Sequence, residues 1–127
     1  MTQHARGTFE VTLTPDQPDD GIGRFRIEKA WAGELEGTGR GLMLSAGDPA
    51  RQTAGYVALE TFEGSLADRT GGFAFQQLGI MRPGAQELTY LVVPGSGSGD
   101  LVGLEGTLAL EIAADGTHSY DLAFSFA

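Results

Sequence analysis

The sequence predicts an all-β domain, an eight-stranded antiparallel up-and-down barrel, and three observations point to it. Apolar residues recur at every second position along almost the whole chain, the period of a strand with one dry and one wet face. Short clusters of Gly, Pro, Asp and Ser punctuate that pattern at the spacing of hairpin turns. Gly33, Gly37, Gly39 and Gly41 share one face of a single long strand. Such a stripe weakens a strand unless it permits tight coiling or leaves room for facing side chains. A barrel needs both, and closure also removes the exposed sheet edges.

The elements follow in order. Phe9, Val11 and Leu13 alternate with Thr8, Glu10, Thr12 and Thr14, and turn chemistry follows over residues 15–21. Phe25, Ile27, Lys29 and Trp31 alternate with Arg24, Arg26, Glu28 and Ala30 in the second strand. Further strands are expected at 35–46, 54–65, 71–81, 87–94, 104–112 and 117–126. Their separators are Gly47-Asp48-Pro49, residues 67–70, Arg82-Pro83-Gly84, residues 94–100 and the hairpin dipeptide Asp115-Gly116. Only residues 45–53 leave room for a short helix. Residues 94–100 lack the Lys-Ser/Thr of a phosphate-binding loop and read as a mobile Gly/Ser connection.

Composition narrows the function classes. A chain of 127 residues suits one domain, 1–127, and the absence of Cys excludes disulfides and thiolate metal sites. Eight basic against 17 acidic residues, a net charge of −9, disfavour nucleic acid and anionic membranes as partners. No run approaches the roughly 18 apolar residues of a membrane span, and MTQHARG has no signal-peptide core, so a cytoplasmic location is expected. His4 and His118 stand far apart, with His4 expected in a frayed terminus, and no metal motif is present. No metal or cofactor is therefore expected.

Several segments carry a resemblance. Residues 31–37 (WAGELEG), 55–64 (GYVALETFEG), 72–79 (GFAFQQLG), 94–97 (PGSG) and 118–120 (HSY) resemble a family of uncharacterised bacterial proteins with an allene oxide cyclase-like β-barrel. The likeness covers nearly the whole chain. Two departures stand out: Gln77 where members of the family often carry His, and Asp68 where they carry Gly before Arg69. The resemblance implies the eight-stranded barrel and brings no activity with it. Plant allene oxide cyclases cyclise an apolar epoxide inside such a barrel, but their polar catalytic motif is absent here, so that reaction is analogy only.

Strand parity then selects candidate site residues. His118 and Tyr120 share a face with Leu122, Phe124 and Phe126; Lys29 lies between Ile27 and Trp31. Glu60 shares a face with Tyr56, Ala58 and Phe62, and Gln77 shares one with Phe73, Phe75 and Gly79. Directed inward, these groups form a polar cluster ringed by aromatics. A bare buried charge is costly, so Lys29 and Glu60 must pair, neutralise or meet water. In an enzyme, Glu60 or His118 would transfer the proton, a carboxyl in an apolar lumen having its pKa raised. Tyr90 or Tyr120 would hydrogen-bond a substrate oxygen, and Lys29, Trp31, Tyr56 and Gln77 would line the site. The plainer readings stay open: Lys29 at the barrel mouth, His118 at an exposed strand end, Glu60 in solvent, Trp31 and Tyr120 as core.

The opposite faces break the wet-outside rule. Leu42, Leu44, Val57, Leu59, Leu78, Ile80, Leu91 and Val93 would form one outer apolar patch, which implies a homo-oligomer. A dimer is favoured by the frequency of twofold symmetry, and a trimer follows by analogy with the plant cyclases. Three functions fit such a barrel: a cofactor-independent isomerase or cyclase, a carrier or sensor of an apolar or amphipathic small molecule, and a structural or interaction barrel with a filled core.

Overall fold

The structure, a computed structural model, describes residues 1–17 and 20–127. Within the turn expected at 15–21, Pro18 and Asp19 lie outside the described residues. The strands are β1 (Gln3–Pro15), β2 (Gly23–Gly33), β3 (Leu35–Asp48), β4 (Thr53–Leu66), β5 (Arg69–Arg82), β6 (Ala85–Val92), β7 (Ser98–Gly99), β8 (Leu104–Ile112) and β9 (His118–Phe126). All pairings are antiparallel, in the order β4-β3-β2-β1-β9-β8-β6-β5, and β4 pairing with β5 closes the ring. Eight strands thus form the predicted barrel, with the two-residue β7 added alongside β5. No helix among the described residues is long and apolar enough to cross a membrane.

The short helix allowed for at 45–53 is a single 3-10 turn, Pro49–Arg51, between β3 and β4, and its Ala50 amide is capped by the Asp48 carboxylate at 3.1 Å. Two local expectations, for residues 94–100 and for His4, need correction. Residues 94–100 are tied down along their length. The Ser96 and Ser98 hydroxyls accept from the Ala74 and Gly72 amides at 3.0 and 3.2 Å, and β7 pairs with Gly71 and Gly72. Leu101, which follows, is fully buried. Serine rather than flexibility decides this segment, because a short hydroxyl can stand in for a ladder partner. His4, expected to fray, is paired within β1 and bonded to Asp121 at 2.7 Å.

The alternation holds through the middle of the eight barrel strands, where they enclose the core. Phe9, Ile27, Lys29, Trp31, Glu60, Phe62, Phe75, Gln77, Tyr90, Leu108, Tyr120 and Leu122 are buried in the lumen. The glycine stripe explains itself at two positions: a Cβ on Gly39 would lie 3.1 Å from the Trp31 indole nitrogen, and one on Gly41 would strike the Glu60 backbone. Removing those two side chains creates the space into which Trp31 and Glu60 project.

The lumen is packed unevenly. At one end Leu35, Leu66, Leu101 and Leu104 are fully buried below a run of rings, Phe62, Phe73, Phe75 and Trp31. Burial of each leucine contributes about 1.5–3 kcal/mol. At the other end Phe25, Met43, Leu88, Leu110 and Ile112 remain partly or largely exposed. The ring also has one thin joint. β6 and β8 share a single register pair, Leu91 with Thr107, whereas β8 and β9 are paired along their full length.

Outside, Leu42, Leu44, Val57, Leu59, Leu78 and Ile80 are exposed, as the parity predicts, while Leu91 and Val93 are half-buried. Cross-strand pairs Leu44–Val57–Leu78 and Leu42–Leu59 make the exposed side chains contiguous over β3, β4 and β5.

Candidate functional site

A polar cluster occupies the middle of the barrel, built by three neighbouring strands and completed from the other side. Register places Glu60 on β4 opposite Phe75, Gln77 opposite Ala58, and Tyr90 on β6 opposite Gln77. Lys29 reaches across from β2. Its Nζ lies 3.1 Å from Glu60 Oε1, 3.0 Å from Oε2 and 2.8 Å from the Tyr90 hydroxyl. The contact with Oε2 lies off hydrogen-bond geometry, so that buried oxygen gains charge attraction without a hydrogen-bond donor. Tyr90 donates to Oε1, and Gln77 Nε2 donates to the same oxygen at 3.2 Å. Gln77 Oε1 in turn accepts from the Tyr56 hydroxyl at 2.8 Å.

This arrangement answers the cost of burying charge. The Lys29 and Glu60 side chains are 5% and 1% exposed, so neither can be solvated, and each instead has its opposite charge and neutral partners. Burial presses the Lys29 ammonium below its ordinary value, against the upward pull of Glu60. The ammonium also lies 4.6 Å from the centre of the Phe9 ring and 5.1 Å from that of Tyr90, where ring faces favour a cation. Burial, then the neighbouring Glu60 charge, pushes the Tyr90 and Tyr56 phenols up, which keeps both as O–H donors.

The structure joins five of the eight sequence candidates by hydrogen bonds or charge, Lys29, Glu60, Gln77, Tyr90 and Tyr56, and leaves three outside that network, Trp31 meeting it only as a ring 5.5 Å from the Lys29 ammonium. Trp31 belongs to the aromatic pack, 4.6 Å from Phe9 and 5.5 Å from Phe75 between ring centres. Tyr120 faces inward but its hydroxyl is taken up by backbone. It accepts from the Leu35 amide at 2.9 Å and faces the Ala32 and Leu35 carbonyls, each at 2.9 Å. It therefore pins the β2–β3 corner instead of joining the cluster. His118 is half-buried at the start of β9, its ring 5.1 Å from Phe9, with no hydrogen bond to the cluster. It faces inward at the end of its strand, at a different level from the cluster.

Above the cluster lies a vestibule of about 360 Å³. Phe25, Met43, Leu88, Leu110 and Ile112 supply apolar walls, with Ser45 and Gln86 as neutral polar groups and Glu87 also in the lining. Tyr56 is common to both features: it lines the vestibule and bonds to Gln77. Its ring lies flat across Gly79, where any Cβ would collide with it. The five apolar wall residues were missed as candidates. Their signal was available, since each shares parity with the core on the last turns of its strand before the mouth. Among the described residues no cluster of His, Asp and Glu could hold a metal ion.

Comparison with known proteins adds family and fold. The profile of the family described as "Protein of unknown function (DUF3224)" matches residues 5–124, and the chain belongs to this family. A crystal structure of a protein with unknown function from the same family, from Shewanella oneidensis MR-1, is 41% identical. It aligns with a TM-score of 0.91 over 100% of this chain and 98% of that one. No curated protein matches the chain.

Proposed function

We propose that this member of the family binds an apolar or amphipathic small molecule in the vestibule, as a carrier or sensor. The observation that carries the reading is the unequal filling of the lumen: one end is packed to full burial, while the other keeps an apolar hollow of about 360 Å³ floored by a polar group. Ligand sites are commonly concave, apolar and supplied with a few placed polar atoms, within roughly 300–1,000 Å³. The buried ion pair supports it from below, holding Gln77 and through it Tyr56 in one position.

The second reading is a cofactor-independent isomerase or cyclase with Glu60 as acid or base. Its support is the Glu60 Oε2 oxygen, buried without a hydrogen-bond donor. It ranks second because Gln77 stands between Glu60 and Tyr56, and a side-chain amide does not relay protons at neutral pH. A barrel filled for structure alone ranks third, since only one end is filled.

Native mass spectrometry of the purified protein and titration with a solvatochromic apolar dye test the reading. Saturable binding is expected, lost when Leu110→Trp fills the vestibule and retained when Lys29→Met and Glu60→Gln are combined, which removes both buried charges together. Absence of saturable binding, or binding indifferent to Leu110→Trp, refutes a lumenal site. Turnover abolished by Glu60→Gln would promote the enzyme.

A further inference from the structure

Resting on the lumenal reading, we infer that the vestibule selects a neutral amphipath whose polar end donates a hydrogen bond, such as a medium-chain alcohol, over one that ends in a carboxylate or only accepts. The argument is the direction of the hydrogen bonds. Glu60 Oε1 accepts from Lys29, Tyr90 and Gln77, so the Gln77 amide must point its nitrogen at Glu60. A flipped amide would set oxygen against oxygen there. The Gln77 carbonyl is thereby turned to Tyr56 and can only accept, so the single phenolic hydrogen is directed inward at 2.8 Å. What Tyr56 retains for a vestibule ligand is an oxygen lone pair. An alcohol or an N–H meets it; an ether, ketone or carboxylate cannot.

Charge works in the same direction. The cation nearest the cluster, Lys29, is 5% exposed and held by Glu60 and Tyr90. Arg51 and Arg82, which follow the lining residues closely in the chain, lie against Asp48 at 3.5 Å and Glu87 at 3.7 Å. The lining itself holds Glu87 and neither Lys nor Arg, so a carboxylate drawn inside would lose its water and meet no cation there, on a chain of net charge −9. Ser45 and Gln86 can donate or accept and do not discriminate.

Isothermal titration of the full chain with three probes of matched length tests the inference: decanol, methyl nonyl ether and decanoate, each near neutral pH. Decanol is expected to bind at least tenfold tighter than the other two, and Tyr56→Phe to bring decanol down to the ether's affinity. Ether equal to decanol, decanoate tightest, or an unchanged preference in Tyr56→Phe overturns the donor selection while leaving a lumenal site standing. Failure of all three probes, with dye binding also absent, overturns the lumenal reading and this inference together. The comparison on the unaltered chain decides the matter even if Tyr56→Phe folds poorly.

Discussion

Lys29 and Glu60, 31 residues apart in sequence, meet as an ion pair in which one ammonium lies within 3.1 Å of both carboxylate oxygens, enclosed by the barrel wall. Neither group can be removed alone without leaving the other charge in a place water does not reach. Breaking such a pair costs about 3–5 kcal/mol, whereas replacing both partners by neutral groups is often close to neutral. Lys29→Met is therefore expected to destabilise by that amount in urea unfolding, and Lys29→Met with Glu60→Gln to recover most of it. Equal losses in the single and double variants would contradict the account.

Tyr120 carries a second, separate load. Its hydroxyl is the partner of the Leu35 amide, at a residue that is fully buried. Tyr120→Phe leaves that amide unpaired, a cost of about 1–3 kcal/mol. A melting temperature unchanged from the parent would show that the corner finds another acceptor. Vestibule binding is expected to be unaffected, because Tyr120 lies outside the vestibule lining.

On the surface, Asp121 is held below its ordinary 3.8, first by its hydrogen bond from His4 and then by that from Arg6. A carboxyl whose folded value lies below its unfolded one stabilises the fold above the unfolded value and loses that contribution as pH falls through the folded value. Asp121→Asn should thus be less stable than the parent near neutral pH, with the gap closing below pH 3.8. A gap that persists or widens in acid would show another cause.

The exposed apolar side chains of β3, β4 and β5, Leu42, Leu44, Val57, Leu59, Leu78 and Ile80, are where a second copy is expected to pack. Contiguous apolar patches of this kind on one face usually mark an interface, and twofold pairing is the commonest solution. Sedimentation velocity is expected to find an oligomer that Leu59→Asp converts to monomer, since Leu59 is 61% exposed and bears no part of the core. A monomeric parent at micromolar concentration would remove the patch as a self-association surface.

Much of the architecture was legible because strand side chains alternate strictly. Once Trp31, Phe62 and Phe75 are taken as inward, Lys29, Glu60 and Gln77 on the same strands must follow, and the structure agrees. Parity cannot tell how far along the barrel a residue sits. His118, Tyr120 and Glu60 all face one lumen, but they occupy different levels, and level depends on register and shear across strands distant in sequence. The same limit hid the vestibule. Phe25 and Leu110 read as ordinary core positions until the register put them at a mouth left unfilled. Ser96 and Ser98 misled for another reason: both hydroxyls bond to β5, more than 20 residues away, and only Ser96 also bonds locally, to the Val93 carbonyl at 2.7 Å.

The lone Leu91–Thr107 pair between β6 and β8 bears on where the proposed ligand would enter. Leu88 on β6 and Leu110 and Ile112 on β8 flank that gap, and all three are vestibule walls. Widening the aperture there separates hydrocarbon from hydrocarbon and unzips almost no backbone ladder, while the remaining seams keep the ring intact. On the proposed function, this seam is the one that would part to admit a molecule broader than the mouth.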